Sequence, residues 1–274
     1  MTQSFVEHRE VGVADPLRQG DVLESIDINA TPWNRHLLVI TADCDLAHAK
    51  NQGRVTCVPL LSQHEYLSEV HLPKTREKAK ARLLSTIQAL PPANAQVSSQ
   101  RLAEWASEEE PERIAKILGF DESGNEQLVI DALGAIRDLN SSTNFEDQVQ
   151  ALILAKTVCS NSMKRSTAAR EVAGILKDAY VNTPGDALFL SSIASGHDGG
   201  HFAYLRHIEQ VWQPSISTGP GRRDVTYRRV SRLLETVTHA LVQKFALVFM
   251  SIGLPSEYED LRSLYSDYMG ESIK

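Results

Sequence analysis

The sequence predicts an α+β protein: a small antiparallel barrel, interrupted by a large helical insertion and followed by C-terminal helices. Three observations lead there. Short runs rich in Val, Ile, Leu and Thr open the chain. A long central region repeats apolar residues at helical spacing, and extended character returns after it.

The first strands are read in "GDVLESIDI", "RHLLVIT" and "RVTCVPLL", punctuated by Gly20, Pro32, Asn34, Gln52 and Gly53. Consecutive strands joined by short connections usually pair, so an antiparallel arrangement follows. Between the second and third, "DCDLAHAKNQ" is long enough for one helical turn that Asp43 or Asp45 can cap. "TREKAKARLLSTIQAL" begins a helical region with Ala79, Leu83, Leu84 and Ile87 on one face, and the helical period continues to "AAREVAGILKDAYV". Leu188–Leu190 and Phe202–Leu205 flank a Gly-rich turn, the pattern of a hairpin. Val230, Leu233, Leu234, Val237, Leu241, Phe245, Val248 and Phe249 then follow a helical period, with Gly253 and Pro255 as stop signals. A short amphipathic helix, "EYEDLRSLYSDYM", closes the chain. The expected organisation is a discontinuous β-module from 1–62 and 183–226, a helical insertion at 63–182, and helices at 227–274 packed on the module.

The chain has 274 residues, 42% of them hydrophobic and 23% charged, with a formal charge of −7. Such a composition predicts an ordinary globular protein and disfavours bulk affinity for nucleic acid, which rests on Lys and Arg neutralising phosphates. Three cysteines, with no basic and apolar leader in "MTQSFVEHREVG", lead to the expectation of a cytoplasmic protein. No membrane span is expected, because "ALVQKFALVFMSIGL" is short and interrupted by Lys244. The terminal helix is read as core, with a homodimer seam as the alternative.

Gly20-Asp21-Val22, Arg35 ahead of "HLLVIT", and "VTCVPLL" together resemble the PemK/MazF superfamily of bacterial toxins over residues 19–63. The resemblance implies an SH3-like barrel and, in its enzymatic members, RNA cleavage. It places Arg35 at the family's catalytic Arg, where a guanidinium stabilises charge on a reacting phosphate. The family's hydroxyl position carries Leu61, with Ser62 one step later, and neighbouring strand residues point to opposite faces. Ser62 therefore serves only if the strand has ended. "CDL" after an apolar strand also resembles bacterial proteins associated with stress or phage defence, which implies a toxin–antitoxin-like context.

Each candidate site has a functional and a structural reading. Asp43, Cys44, Asp45 and His48 bring carboxylates, a thiol and an imidazole together after a strand, so they can bind a metal or position a water. The alternative makes Asp43 or Asp45 a cap, Cys44 a buried apolar residue and His48 a solvated one. His197 and His201 in "GHDGGH" can complete a zinc sphere with Cys44 and His48, although the flexible glycines make that set unfavoured. Arg222, Arg223 and Arg228, with Arg229, suit an anion or nucleic acid, or else pair with the abundant acids.

The leading expectation is a non-catalytic binding or regulatory component that engages another bacterial protein, a nucleotide or a nucleic acid without a cofactor. The alternative is an endoribonuclease using Arg35 and Ser62, or a metal-assisted phosphodiester hydrolase using Asp43, Cys44 and Asp45.

Overall fold

A computed structural model describes residues 5–90, 97–120, 124–160, 163–181, 185–219, 224–250, 260–261 and 264–265. The chain begins with β1 (His8–Arg9), β2 (Asp21–Ser25), α1 (Pro32–Arg35), β3 (His36–Val39), α2 (Asp43–Ala47) and β4 (Arg54–Ser62). Helices follow: α3 (Gln63–Tyr66), a π-helical turn, α4 (Pro73–Ala89), α5 (Ser99–Glu108), α6 (Pro111–Ile117), α7 (Glu126–Ser141), α8 (Phe145–Cys159) and α9 (Arg165–Val181). The described chain then forms β5 (Ala187–Leu190), β6 (His201–Tyr204), β7 (Glu209–Trp212), β8 (Ile216–Ser217), β9 (Tyr227–Leu233) and α10 (Glu235–Phe249).

The fold is α+β, and its strands form one sheet curled into a half-barrel. Along the main path the order is β1-β9-β2-β3-β4-β6-β5, with β7 also on β4 and β8 on β9. All pairings are antiparallel except β8 with β9. The three opening strands are neighbours, and the expected hairpin is present as β5 and β6. Distant segments close the sheet: Leu61 of β4 faces Phe202 of β6, and Val22 of β2 faces Ser231 of β9.

Both faces of the sheet are covered. Val22, Leu38, Val58, Leu60, Ala203 and Leu233 pack on one face beneath Leu241 of α10. Leu23, Leu37, Val39, Val55, Cys57 and Val211 fill the other. Alternate side chains of one strand point to opposite faces, so a sheet covered twice needs a continuous apolar run such as "HLLV". The insertion has its own core around Leu83, Ile87, Leu102, Phe120, Leu133, Ile136 and Leu152.

One element corrects the sequence reading. Residues 227–233 form a strand, so Val230 and Leu233 do not belong to the terminal helix, which starts at Glu235. The register shifts between Val22 and Leu23, which leaves Val230 as an extra residue opposite them. Such a bulge breaks the period of two and imitates helical spacing. Val237, Leu241, Phe245 and Val248 do face the core from α10. The closing amphipathic helix falls mostly outside the described residues.

Candidate functional site

The apolar layer beneath α10 ends in a polar row. Glu24 lies two residues beyond Val22, His36 two before Leu38, Ser62 two beyond Leu60, and His201 two before Ala203. Strand periodicity therefore places all four polar side chains on the face of that core, at its edge. The register aligns them further: Arg228 faces Glu24, Glu24 faces His36, and Ser62 faces His201. Directly opposed antiparallel residues put their side chains side by side.

His197 joins this row from the β5–β6 connection. Ser191, at the start of that connection, donates its amide and hydroxyl to the Glu7 carboxylate at 2.8 and 2.7 Å. Ser192 Oγ lies 2.9 Å from His8 Nε2 and 2.8 Å from Asp198 Oδ1, and Ser231 donates to the Ile193 carbonyl. These contacts fasten the connection to β1 and β9, so His197 is presented by an anchored loop. Gly200 adopts φ +77°, the left-handed conformation glycine tolerates, where the chain enters β6.

The result is a cluster of Glu24, His36, His197 and His201 flanked by Arg228, Arg35 and Glu65. Glu24 Oε1 is 3.4 Å from His197 Nε2 and 3.7 Å from His36 Nε2. The His36 ring lies 5.1 Å from that of His197 and 5.9 Å from that of His201, edge-on to each. His36 and His201 are buried, at 7% and 5% exposure, whereas the His197 side chain keeps 26%. Neither ring nitrogen of His36 has a hydrogen-bond partner, and Nδ1 of His201 has none.

Charge in the cluster follows from burial and neighbours. Burial pushes the Glu24 carboxyl up, but Arg228 and the two imidazoles outweigh it and hold the group below its usual range. Burial, then repulsion from His197, lowers His36 despite Glu24 and Glu65. His201 is pushed down to about 4 by burial and by the other two imidazoles. At neutral pH His36 and His201 are therefore uncharged and retain lone pairs, the state in which imidazole binds a metal or accepts a proton. Among the described residues, Glu24, His36 and His197 are the group of three whose donor atoms lie together, all within 4.8 Å.

The residues singled out from sequence divide into two groups: Ser62, His197, His201 and Arg228 lie in the rim with Arg35 beside it, whereas Asp43, Cys44, Asp45 and His48 lie on α2 and its C-cap. Arg35 contacts the rim by pairing with Glu65, and it also donates to the Ala30 carbonyl at 3.2 Å. Ser62 ends β4 and caps α3: its hydroxyl accepts from the Glu65 amide at 3.3 Å while its own amide donates to Glu65 Oε2 at 2.8 Å. Ser62 is still a strand residue, paired with His201, so its side chain points away from the face of Leu61 and the condition its catalytic use required is not met; Arg35 and Ser62 nevertheless meet through Glu65. Arg228 binds Glu24, consistent with the acid-pairing alternative, and it does so from a strand. Arg222 and Arg223 lie outside the described residues.

The zinc set of Cys44, His48, His197 and His201, unfavoured from sequence, is not brought together among the described residues. Cys44 and His48 are exposed on α2 and its C-cap, and the donor cluster among the described residues contains neither. Asp43 and Asp45 do not cap α2 either; Ala42 occupies the N-cap position with no side-chain cap, and Asp43 accepts from the Gln19 amide at 2.7 Å. Nor is Cys44 buried; its thiol lies 3.6 Å from Asp45 Oδ1 at the surface. The connection rises only one helical turn before heading to β4, so its polar groups tie down the Gln19 turn. Sequence reasoning missed Glu24 and His36, whose only signal was their place two residues from apolar strand positions.

A separate groove of about 870 Å3 opens beside Ile26, Asn34, Trp212 and Tyr227. Its carboxylates are Asp27 and Glu209, and no imidazole lines it. Compared with known protein families, curated proteins and solved structures, the chain matches none. No helix among the described residues is long and apolar enough to cross a membrane.

Proposed function

We propose that the protein is a binding or regulatory component that takes up a ligand at the histidine-lined rim of its half-barrel. The observation that carries this reading is the burial of His36 and His201 with ring nitrogens left unpartnered. A buried polar group without a partner costs about 1–3 kcal/mol, a cost removed when a ligand supplies the partner. The groups named for catalysis are meanwhile engaged elsewhere: Ser62 in a cap, Arg35 with Glu65, and Asp43 with Gln19.

A PemK/MazF-like ancestry and a place in a bacterial stress, toxin–antitoxin or phage-defence module complete the proposal, with a cytoplasmic setting. Another bacterial protein, a nucleotide or a nucleic acid is the partner in this reading. Homodimer formation would use the exposed Leu247 and Phe249 of α10. The test is histidine-ring NMR during titration with Zn2+, inorganic phosphate and a mononucleotide. The rim signals of His36, His197 and His201 are expected to shift with at least one probe while exposed His48 stays still. Rim signals unmoved by every probe would overturn the reading.

The endoribonuclease alternative is favoured by one observation, the meeting of Arg35 and Ser62 on Glu65. RNA cleavage by the wild type that disappears in Arg35→Ala would establish it over the binding role.

A further inference from the structure

We infer that the ligand of the rim is a divalent transition-metal ion held by Glu24, His36 and His197. This rests on the rim being a ligand site and names the chemistry that the site accepts.

The donor spacing is the first argument. Metal–nitrogen and metal–oxygen bonds to zinc are about 2.0–2.1 Å, and a tetrahedral angle then separates adjacent ligand atoms by about 3.4 Å. Glu24 Oε1 stands 3.4 Å from His197 Nε2 and 3.7 Å from His36 Nε2. The His36 and His197 donors also lie within 4.8 Å of each other. Closing the set around an ion therefore needs small side-chain movements.

Unused bonding capacity is the second argument. His36 is buried at the centre of the cluster, and both of its ring nitrogens lack hydrogen-bond partners. A structural histidine in a core ordinarily satisfies at least one of them. A ring that satisfies neither, with a carboxylate oxygen and a second imidazole nitrogen nearby, is arranged to share its lone pair with a cation.

The carboxylate is divided in a way that suits the same purpose. Arg228 takes Glu24 Oε2 through Nε at 2.7 Å and Nη2 at 2.6 Å. Oε1 is left to face the imidazoles, so Glu24 enters as a one-oxygen ligand whose outer oxygen is fixed. Outer hydrogen bonds of this kind orient metal ligands. Two nitrogens and one oxygen suit a late first-row ion better than Mg2+ or Ca2+, which prefer all-oxygen sets. Three protein ligands leave at least one position of the ion open.

Zn2+ is the probe for the test, with Co2+ as its spectroscopic stand-in. The metal-stripped full chain is titrated calorimetrically, and the bound ion is counted by elemental analysis after gel filtration. One ion per chain is expected, with visible Co2+ absorption that Zn2+ abolishes. Glu24→Gln and His197→Ala should each weaken Zn2+ binding beyond the roughly 10–100-fold that loss of an outer partner costs. Their partial exposure protects the fold, and circular dichroism verifies it. Cys44→Ser and His48→Ala should bind as the wild type does.

Absence of stoichiometric binding, or binding that survives both ligand substitutions, overturns the metal assignment. If Zn2+ leaves the rim histidine signals still but phosphate or a mononucleotide moves them, the metal assignment falls while the ligand-site reading stands. If no probe moves them, both fall.

Discussion

Arg228 directs Nε and Nη2 at one oxygen of Glu24, at 2.7 and 2.6 Å, and leaves the other oxygen to His36 and His197. The pair is a product of register, since the two residues face each other across β2 and β9. It holds down the Glu24 carboxyl, because Arg228 opposes the burial that otherwise raises that group.

Replacing Arg228 with Ala should therefore move the Glu24 titration upward. Carboxyl 13C NMR is the measurement, and an unmoved midpoint would show that Arg228 does not govern the carboxylate. Stability should change by less than about 1 kcal/mol, because the guanidinium is 63% exposed and its ion pair is screened by water.

The metal-free protein should lose stability in mild acid. His201 titrates near 4 in the folded chain and close to 6.5 when unfolded, so the unfolded chain holds more protons between those values. Its contribution is complete above about pH 6.5 and is lost as pH falls towards 4, by an amount on the order of 3 kcal/mol. His36, also lowered, acts in the same direction. Urea unfolding from pH 7 to 4 reads the slope. His201→Gln should flatten it, and an unchanged slope would exonerate this ring.

A second ionic cluster lies deeper. Asp21, fully buried, accepts from Arg232 at 2.5 and 3.0 Å and from Arg229 at 3.3 Å. Asp21→Ala strands two buried guanidinium groups and should cost about 3–5 kcal/mol in chemical denaturation. Combining it with Arg232→Met should cost less than the two single changes summed, since one unpaired charge is removed.

Ser62→Ala should cost roughly 1 kcal/mol, the usual worth of an N-cap, through fraying of α3. A loss near zero in thermal unfolding would mean that the bond from the Glu65 amide to the Ser62 hydroxyl adds nothing to the cap.

Much of the fold was legible in the text. Strands β2, β3 and β4 were announced by β-branched and aliphatic runs between turn residues, and the β5–β6 hairpin by Gly199 and Gly200 between apolar segments. The helices of the insertion were announced by their period. β9 was not, because the bulge at Val230 disguised its alternation, and β1, β7 and β8 are too short to carry a pattern.

The site was far less legible. Asp43, Cys44, Asp45 and His48 attracted attention because they are close in sequence, yet they order a surface turn. Glu24, His36, His197 and Arg228 span more than 200 positions; His197 and Arg228 stood out only as members of other sets, and Glu24 and His36 did not stand out at all.

By itself, the sequence determined where β2 to β6 and the helices of the insertion form, because apolar periodicity and turn chemistry are local properties of the chain. Only the tertiary structure decided which polar residues become neighbours. That depends on strand register and on the bulge between β2 and β9, and a slip of one residue would turn Glu24 to the opposite face of the sheet.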